Sequence, residues 1–406
     1  MIQGRPLTTR KSRPGLRFEG APDQLWEGFG ACFHEAGWRA LSALKAMDAQ
    51  RVLQALFEEG RGPRLSVGVI PVGGTCRSSD PRSLNEVSGD LAMRHFALCR
   101  ERDWLFPFVR EALRRVHKFK VMALPWSPPA WMKAAPGDRL AWQPEILAAY
   151  ALYLARFVQA CRLEGIPVHR LCAQNAPFGA GPGPACRWTP AHLRDFVRNH
   201  LGPKFERLRL TTEIWMGALD ADDYDGAGAM LRDAMAMQCV KGVALQGEGV
   251  ALGPRLHRAL PDQRWLFLEG GGDVGDKDWD AAHAMFAAMC AAMAAGAMAC
   301  IHGNLILPAD APGGALVSVD PAAGTYALTP SFHALRHLSA GLDRNAVRLG
   351  LAGAWADRAV AFMNEDDSRI LILHNPADEP DRVVVADGDR LLNLMLPPRS
   401  FHTLAL

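Results

Sequence analysis

The chain predicts an α/β protein: a (β/α)8 TIM barrel with an appended antiparallel β-sandwich. Three observations predict it. Short apolar runs alternate with longer amphipathic stretches, eight strand–helix units in all, over about 300 residues, a usual span for such a barrel. After His337 the rhythm changes to short strands separated by turn residues. The length, 406 residues, suits one large barrel plus a small satellite domain. The barrel is placed at residues 26–340 and the sandwich at 1–25 plus 341–406.

The candidate barrel strands are Trp26–Phe33, Arg64–Ile70, Lys118–Leu124, His169–Gln174, Leu210–Met216, Val240–Gln246, Arg264–Leu268 and Ala297–Ile301. Between them, Ala40–Glu58, Pro144–Glu164 and Pro190–Leu201 repeat apolar residues at helical spacing. Thr189-Pro190 supplies a cap and a first-turn proline, a helix-start signal. The later strands are Ala359–Asn364, Ser368–His374, Arg382–Ala386, Arg390–Leu396 and Ser400–Leu406. Asp-Asp, Asn-Pro-Ala-Asp, Asp-Gly-Asp and Pro-Pro turns separate them, the spacing of a sandwich.

Hydrophobic residues make up 49% of the chain, enough for a large core. A net charge of +2 argues against a nucleic-acid partner, which calls for a basic excess or stripe. Arg5–Arg17 reads as a solvated basic arm. The first residues carry no apolar signal region, and no run long enough to span a membrane stands out. The nearest, Ala281–Ile301, reads as a buried helix running into a strand. Nine scattered cysteines without a C-x-x-C pair or zinc spacing fit reduced thiols, so a cytoplasmic location and no metal are expected. Gly270-Gly271-Gly272 lacks the pattern of a phosphate cradle and reads as loop. Nothing indicates the oligomeric state.

The chemistry-bearing segments lie at predicted strand ends, where barrel enzymes place their working residues. One is Leu124-Pro125-Trp126-Ser127-Pro128-Pro129-Ala130-Trp131-Met132-Lys133. The others are Gln174-Asn175-Ala176-Pro177 and Leu268-Glu269-Gly270. In that order they resemble glycoside hydrolase family 30, the glucosylceramidase-like retaining β-glycosidases. The family reads S-P-W-S-P-P-x-W-M-K, then Q-N-E-P, then a second Glu near the end of a late strand. Gly28-Phe29-Gly30-Ala31, Ile70-Pro71-Val72-Gly73 and Ala185-Cys186-Arg187-Trp188-Thr189-Pro190 extend the resemblance over most of the chain. It also implies that N-terminal residues around Phe18-Glu19-Gly20 add a strand to the sandwich.

A retaining glycosidase needs two carboxyls about 5–5.5 Å apart, one nucleophile and one acid/base. The resemblance makes Glu269 the nucleophile, Asn175 the contact to the sugar 2-hydroxyl and Trp126 the pocket wall. It implies a carbohydrate substrate and no cofactor. At the acid/base position stands Ala176, which has no proton to give. Other departures surround it. Val69 replaces an Arg, and Cys76 a sugar-binding Asp. Gln246-Gly247-Glu248 replaces H-x-Y, and Cys300-Ile301-His302-Gly303-Asn304 an aromatic-rich ending. Gln246, His302 and Asn304 thereby become candidate sugar contacts.

Three explanations stay open for Ala176. It is an engineered change, or a natural one with a relocated proton donor, or the mark of a non-hydrolytic carbohydrate-binding descendant. Glu248 leads the replacement donors, followed by His302, Glu35, His34 and Asp80. Plainer roles stand beside these: Trp131 as core, His302 as a satisfied rim histidine, Cys76 and Cys300 as small buried thiols, and Glu248 as a solvated carboxylate.

Overall fold

A computed structural model describes residues 5–6, 15–134, 137–179, 184–269 and 278–406. The glycine run 270–272 and much of the basic arm lie outside the described residues. Eight parallel strands close into a barrel: β1 (Gly28–Cys32), β2 (Leu65–Val72), β3 (Lys120–Pro125), β4 (Val168–Cys172), β5 (Glu213–Leu219), β6 (Val240–Leu245), β7 (Trp265–Leu268) and β8 (Ala299–His302). Each pairs with the next, and β8 closes on β1 through Ala299↔Gly28 to His302↔Ala31. Each predicted strand overlaps an observed one, with ends displaced by up to three residues, as at β5.

The lumen is filled by Val67, Val69, Met122, Leu124, Cys172, Ala244, Leu266, Leu268 and Ile301. Its lower end is sealed by charge. Glu27, Lys120, Glu213 and Arg264 sit at strand starts, and Arg170 two residues into β4. Arg170 is 2% exposed and pairs with Glu27 and with Glu213, the latter at 3.3 Å. Arg264 reaches Glu27 at 3.1 Å and Glu213 at 2.9 Å. Both guanidinium groups lie over the Trp215 ring. Burial opposes ionisation of Glu27, yet Arg170, Lys120 and Arg264 together hold its carboxyl below the ordinary range.

The predicted helix over Ala40–Glu58 divides into Glu35–Ser42 and Ala46–Phe57. The apolar stripe runs across the break because Leu41, Leu44, Val52, Leu53 and Leu56 are all buried in one core. Pro144–Leu163 is long and apolar enough to cross a membrane, but its Tyr150, Tyr153, Leu154 and Phe157 are buried in the barrel's core. Thr189 caps its helix as predicted, accepting the His192 amide at 3.1 Å. Ala281–Ile301 is helix Trp279–Ala294 followed by β8. A three-stranded sheet after β8, of Ile306–Pro308, Val317–Asp320 and Thr325–Leu328, has no counterpart among the predicted strands.

Two further sheets form the sandwich. One joins Arg390–Leu396, Asp381–Asp387, Leu16–Phe18 and Leu351–Ala352, with Arg5–Pro6 at its edge. The other joins Val347–Leu349, Ala359–Met363, Arg369–Asn375 and Ser400–Ala405. The N-terminal strand Leu16–Phe18 runs parallel to Asp381–Asp387, so the sandwich is antiparallel except at this pair. Its buried core includes Leu16, Trp355, Leu371, Val383 and Leu394.

The barrel meets the sandwich at two buried imidazoles. His283, on helix Trp279–Ala294, places Nδ1 at 2.8 Å from Nε2 of His374, between Phe286 and Phe401. Arg358, Arg399 and Asp280 are the charged groups acting on the pair. Burial, then the charges of His283 and the two arginines, push His374 down to about 4; burial and Arg399 push His283 below its ordinary value.

Two outcomes are expected. Arg170→Met strands Glu27 without its closest buried cation and lowers stability by about 3–5 kcal/mol in denaturant unfolding. Because His374 titrates lower folded than unfolded, the unfolded chain binds more protons below pH ~6.5. Stability is therefore complete above that pH and falls toward pH 4. The Tm should drop between pH 7 and pH 5, and less so in His374→Phe.

Candidate active site

The upper mouth of the barrel is formed by the segments that continue beyond the strand ends. Beyond β4 the chain stays sewn between its neighbours. The Asn175 amide donates to Pro125 O at 2.9 Å, and the Ala176 amide to Ala218 O at 3.1 Å. Gln174 is fully buried, with its amide nitrogen on Trp126 O at 2.8 Å. The Q-N-A-P segment thus links the S-P-P-x-W-M-K loop to β5. Ala176 has φ +42°, in the left-handed region, which costs an L-residue roughly 1–2 kcal/mol.

Asn175 and Gln246 are brought together. Gln246 Nε2 donates to Asn175 Oδ1 at 2.9 Å and to Ala218 O at 2.9 Å. With its oxygen occupied, Asn175 keeps its NH2 for a hydroxyl oxygen. Gln246, named from sequence as a candidate sugar contact, holds Asn175 by this bond.

Glu269 follows β7, and its backbone is fixed by an amide bond to Ile301 O at 2.9 Å. Its side chain is 27% exposed, open enough to meet a ligand. Oε2 accepts the Gly303 amide at 3.3 Å and lies 3.4 Å from His302 Nε2. Buried Cys32 lies close below: burial, then the Glu269 charge, push its thiol up to about 12, so it stays neutral. His34 Nε2 meets Gly303 O at 3.2 Å, and burial pushes His34 down to about 4.

Several predicted roles change. Glu248 is an exposed carboxylate on the short turn Gly247–Leu252 beyond β6, not a strand-end group. His302 is buried with its ring nitrogen beside Glu269, rather than free as a separate proton donor. Asn304 is buried, its side chain donating to Gly314 O at 2.8 Å, which makes it structural. Glu35 is held by Ser79 at 2.6 Å with Arg39 and Arg100 beside it. Asp80 pairs with exposed Arg82. Cys76 is exposed rather than a buried thiol, whereas Cys300 is buried. Trp126 is half-buried, and the Trp131 ring nitrogen donates to Asn85 O at 3.0 Å. Among the described residues no three His, Cys, Asp or Glu side chains converge as a metal set.

Asp220 was missed. It directly follows β5, and its Oδ1 accepts the Phe178 amide at 3.0 Å, two residues beyond Ala176. Burial, with a smaller push from Glu248, raises its carboxyl above the ordinary range despite those backbone bonds. The signal available in the sequence was its place at a strand end.

The model for the glycosyl hydrolase family 30 TIM-barrel domain matches residues 26–340, and that for the family 30 β-sandwich domain matches 345–404. The chain belongs to glycoside hydrolase family 30. Among curated family relatives, putative glucosylceramidase 1 of Caenorhabditis elegans is 27% identical, covering 94% of this chain and 80% of its own. An endo-1,6-β-D-glucanase of Neurospora crassa is 24% identical over 87% of this chain and 79% of its own. The fold matches SrfJ from Salmonella typhimurium at TM-score 0.90 and 22% identity, over 100% of this chain and 95% of that one. An endo-β-1,6-glucanase structure matches at TM-score 0.85 and 24% identity, over 96% and 93%.

The Asp220 bonds tie β5 to the loop that carries Ala176. Removing them with Asp220→Ala should lower stability by about 2 kcal/mol, the scale of hydrogen bonds to a charged group. Limited proteolysis should then cut near Phe178 faster than in the unaltered protein.

Proposed function

We propose that this family 30 protein acts on a β-linked sugar by a retaining route, with Glu269 as nucleophile and no acid/base at the usual place. The observation that carries the reading is Glu269: a strand-end carboxylate, 27% exposed, held by the Gly303 amide. Glu269 attacks the anomeric carbon, the leaving-group oxygen departs with the bonding pair, and a glycosyl ester forms. Water then cleaves the ester and releases the sugar with its configuration retained. Asn175 NH2 faces the 2-hydroxyl, where a hydrogen bond strengthens at the transition state.

Ala176 withholds a contribution of roughly 10²–10⁴ in rate that a general acid/base supplies. Activated aryl glycosides, which leave unprotonated, are the substrates this site handles; alkyl glycosides react slowly. Two curated relatives are named as a glucosylceramidase and an endo-1,6-β-glucanase, so β-glucosides lead the panel. A second reading rests on Asp220, whose carboxyl is bonded to the Ala176 loop and is raised by burial above an ordinary aspartate.

The test is turnover of dinitrophenyl β-glucoside with and without azide, a small anion that needs no general base. The expected result is faster turnover with azide and a β-glucosyl azide product, both lost in Glu269→Gln. Ala176→Glu should raise turnover of an alkyl β-glucoside by about 10²–10⁴. Azide-independent turnover that disappears in Asp220→Asn would favour the second reading. Binding of sugar without turnover on any glycoside of the panel would overturn both and leave a non-hydrolytic carbohydrate-binding protein.

A further inference from the structure

We infer that His302 is the residue that positions the nucleophile. It and the Gly303 amide hold Oε2 of Glu269, so that Oε1 is the oxygen that attacks. The inference rests on the reading of Glu269 as nucleophile and goes further, to which atom reacts and what aims it.

The geometry points there from four sides. His302 is the last residue of β8, 3% exposed, so its ring is fixed by packing rather than by solvent. Its Nε2 lies 3.4 Å from Glu269 Oε2, and the next amide, Gly303 N, lies 3.3 Å from that same oxygen. The other ring nitrogen, Nδ1, lies 3.1 Å from the Asn304 amide and 2.9 Å from Asn304 O. Those contacts allow two states. In the neutral ring Nδ1 accepts the Asn304 amide and the proton sits on Nε2. In the imidazolium Nδ1–H donates to Asn304 O and Nε2 is again protonated. The remaining tautomer would turn a bare Nε2 lone pair toward a carboxylate oxygen, which is repulsive. Both permitted states therefore carry a proton on Nε2, the ring nitrogen nearest Oε2.

The scaffold behind this arrangement is stiff. Gly303 O is engaged by His34 Nε2 at 3.2 Å, so the peptide that donates to Glu269 is held from behind. Asn304 is anchored on Gly314 O, and its own carbonyl accepts the Leu316 amide at 3.2 Å. With the Gly303 hydrogen bond and the His302 ring nitrogen both at Oε2, and no contact at Oε1 among the described residues, the two oxygens are unequal. Oε1 keeps its lone pairs for the anomeric carbon. As the ester forms, Oε2 becomes its carbonyl oxygen and stays hydrogen-bonded. The same donors stabilise Glu269 as the departing carboxylate when water breaks the ester. His302 thus acts through Glu269 and is a positioning residue.

The test follows covalent labelling of Glu269 by dinitrophenyl 2-deoxy-2-fluoro-β-glucoside, which forms a slowly hydrolysed glycosyl ester and releases a leaving group that needs no acid. Label position is read by peptide mass spectrometry and rate by dinitrophenolate release, from acid to neutral pH. Labelling of the unaltered protein at Glu269 is expected. His302→Phe, which fills the space without a donor, should label roughly 100-fold more slowly, the scale of a misaimed reacting group. Its pH profile should change shape as well. His302→Gln, whose amide can reach the same oxygen, should recover most of the rate. Nitrogen NMR of the unaltered protein should find a proton on Nε2. Equal labelling rates and pH profiles in all three, with thermal melts showing each variant folded, would overturn the inference and leave Glu269 as nucleophile. A proton on Nδ1 alone would overturn it too. No labelling of the unaltered protein at Glu269 would overturn the underlying reading and this inference with it.

Discussion

Closure of the barrel, where Ala299–His302 pairs with Gly28–Cys32, is the constraint on which the site depends. A sheet of eight strands becomes a barrel only if the last finds the first in register. That register sets His302 beside Ala31 and brings the turn after β8 over the end of β7. Gly303 then donates to Glu269 and accepts from His34, tying the first, seventh and eighth strands into one knot of side chains. Close approach at this seam explains Gly30 of the Gly-Phe-Gly motif. A Cβ there would fall 2.3 Å from Val67 O and 2.6 Å from Ile301 Cδ1.

The two ends of the barrel use charge differently. Below, Glu27 and Glu213 alternate with Arg170 and Arg264, so the charges compensate one another and the floor is closed. Such a cluster adds little net stability over a well-packed apolar floor, but losing one member leaves a buried charge uncompensated. Above, Glu269 faces one imidazole and one amide and remains partly open to solvent. The asymmetry leaves a partly open carboxylate at the mouth and charge-compensated ones at the floor.

Amide and imidazole groups, not charged or phenolic ones, line the ends of β6 and β8 here. Gln246 fixes Asn175 from β6, and His302 meets Glu269 from β8. Ala176 stands in a left-handed backbone conformation between two strands. The backbone route of the acid/base segment is kept while the carboxyl is gone.

The strand order, the barrel, the Thr189 cap and the segments bearing Asn175, Ala176 and Glu269 were legible in the sequence, because local apolar periodicity and turn residues carry that information along the chain. The break at residues 43–45 was not, since the apolar stripe runs unbroken through it. Nor was the parallel pairing of Leu16–Phe18 with Asp381–Asp387, a contact between segments more than 360 residues apart. Glu248 read as a strand-end carboxyl because Gly247-Glu248 follows an apolar run; a short turn carries it to solvent. Asn304 and His302 looked alike as polar residues at one strand end, yet one turns to Gly314 O and the other to Glu269. The sequence by itself determined which residues arrive at the mouth. Only the tertiary structure decided which of them touch, because side-chain direction at a strand end depends on the register of neighbours distant in the chain.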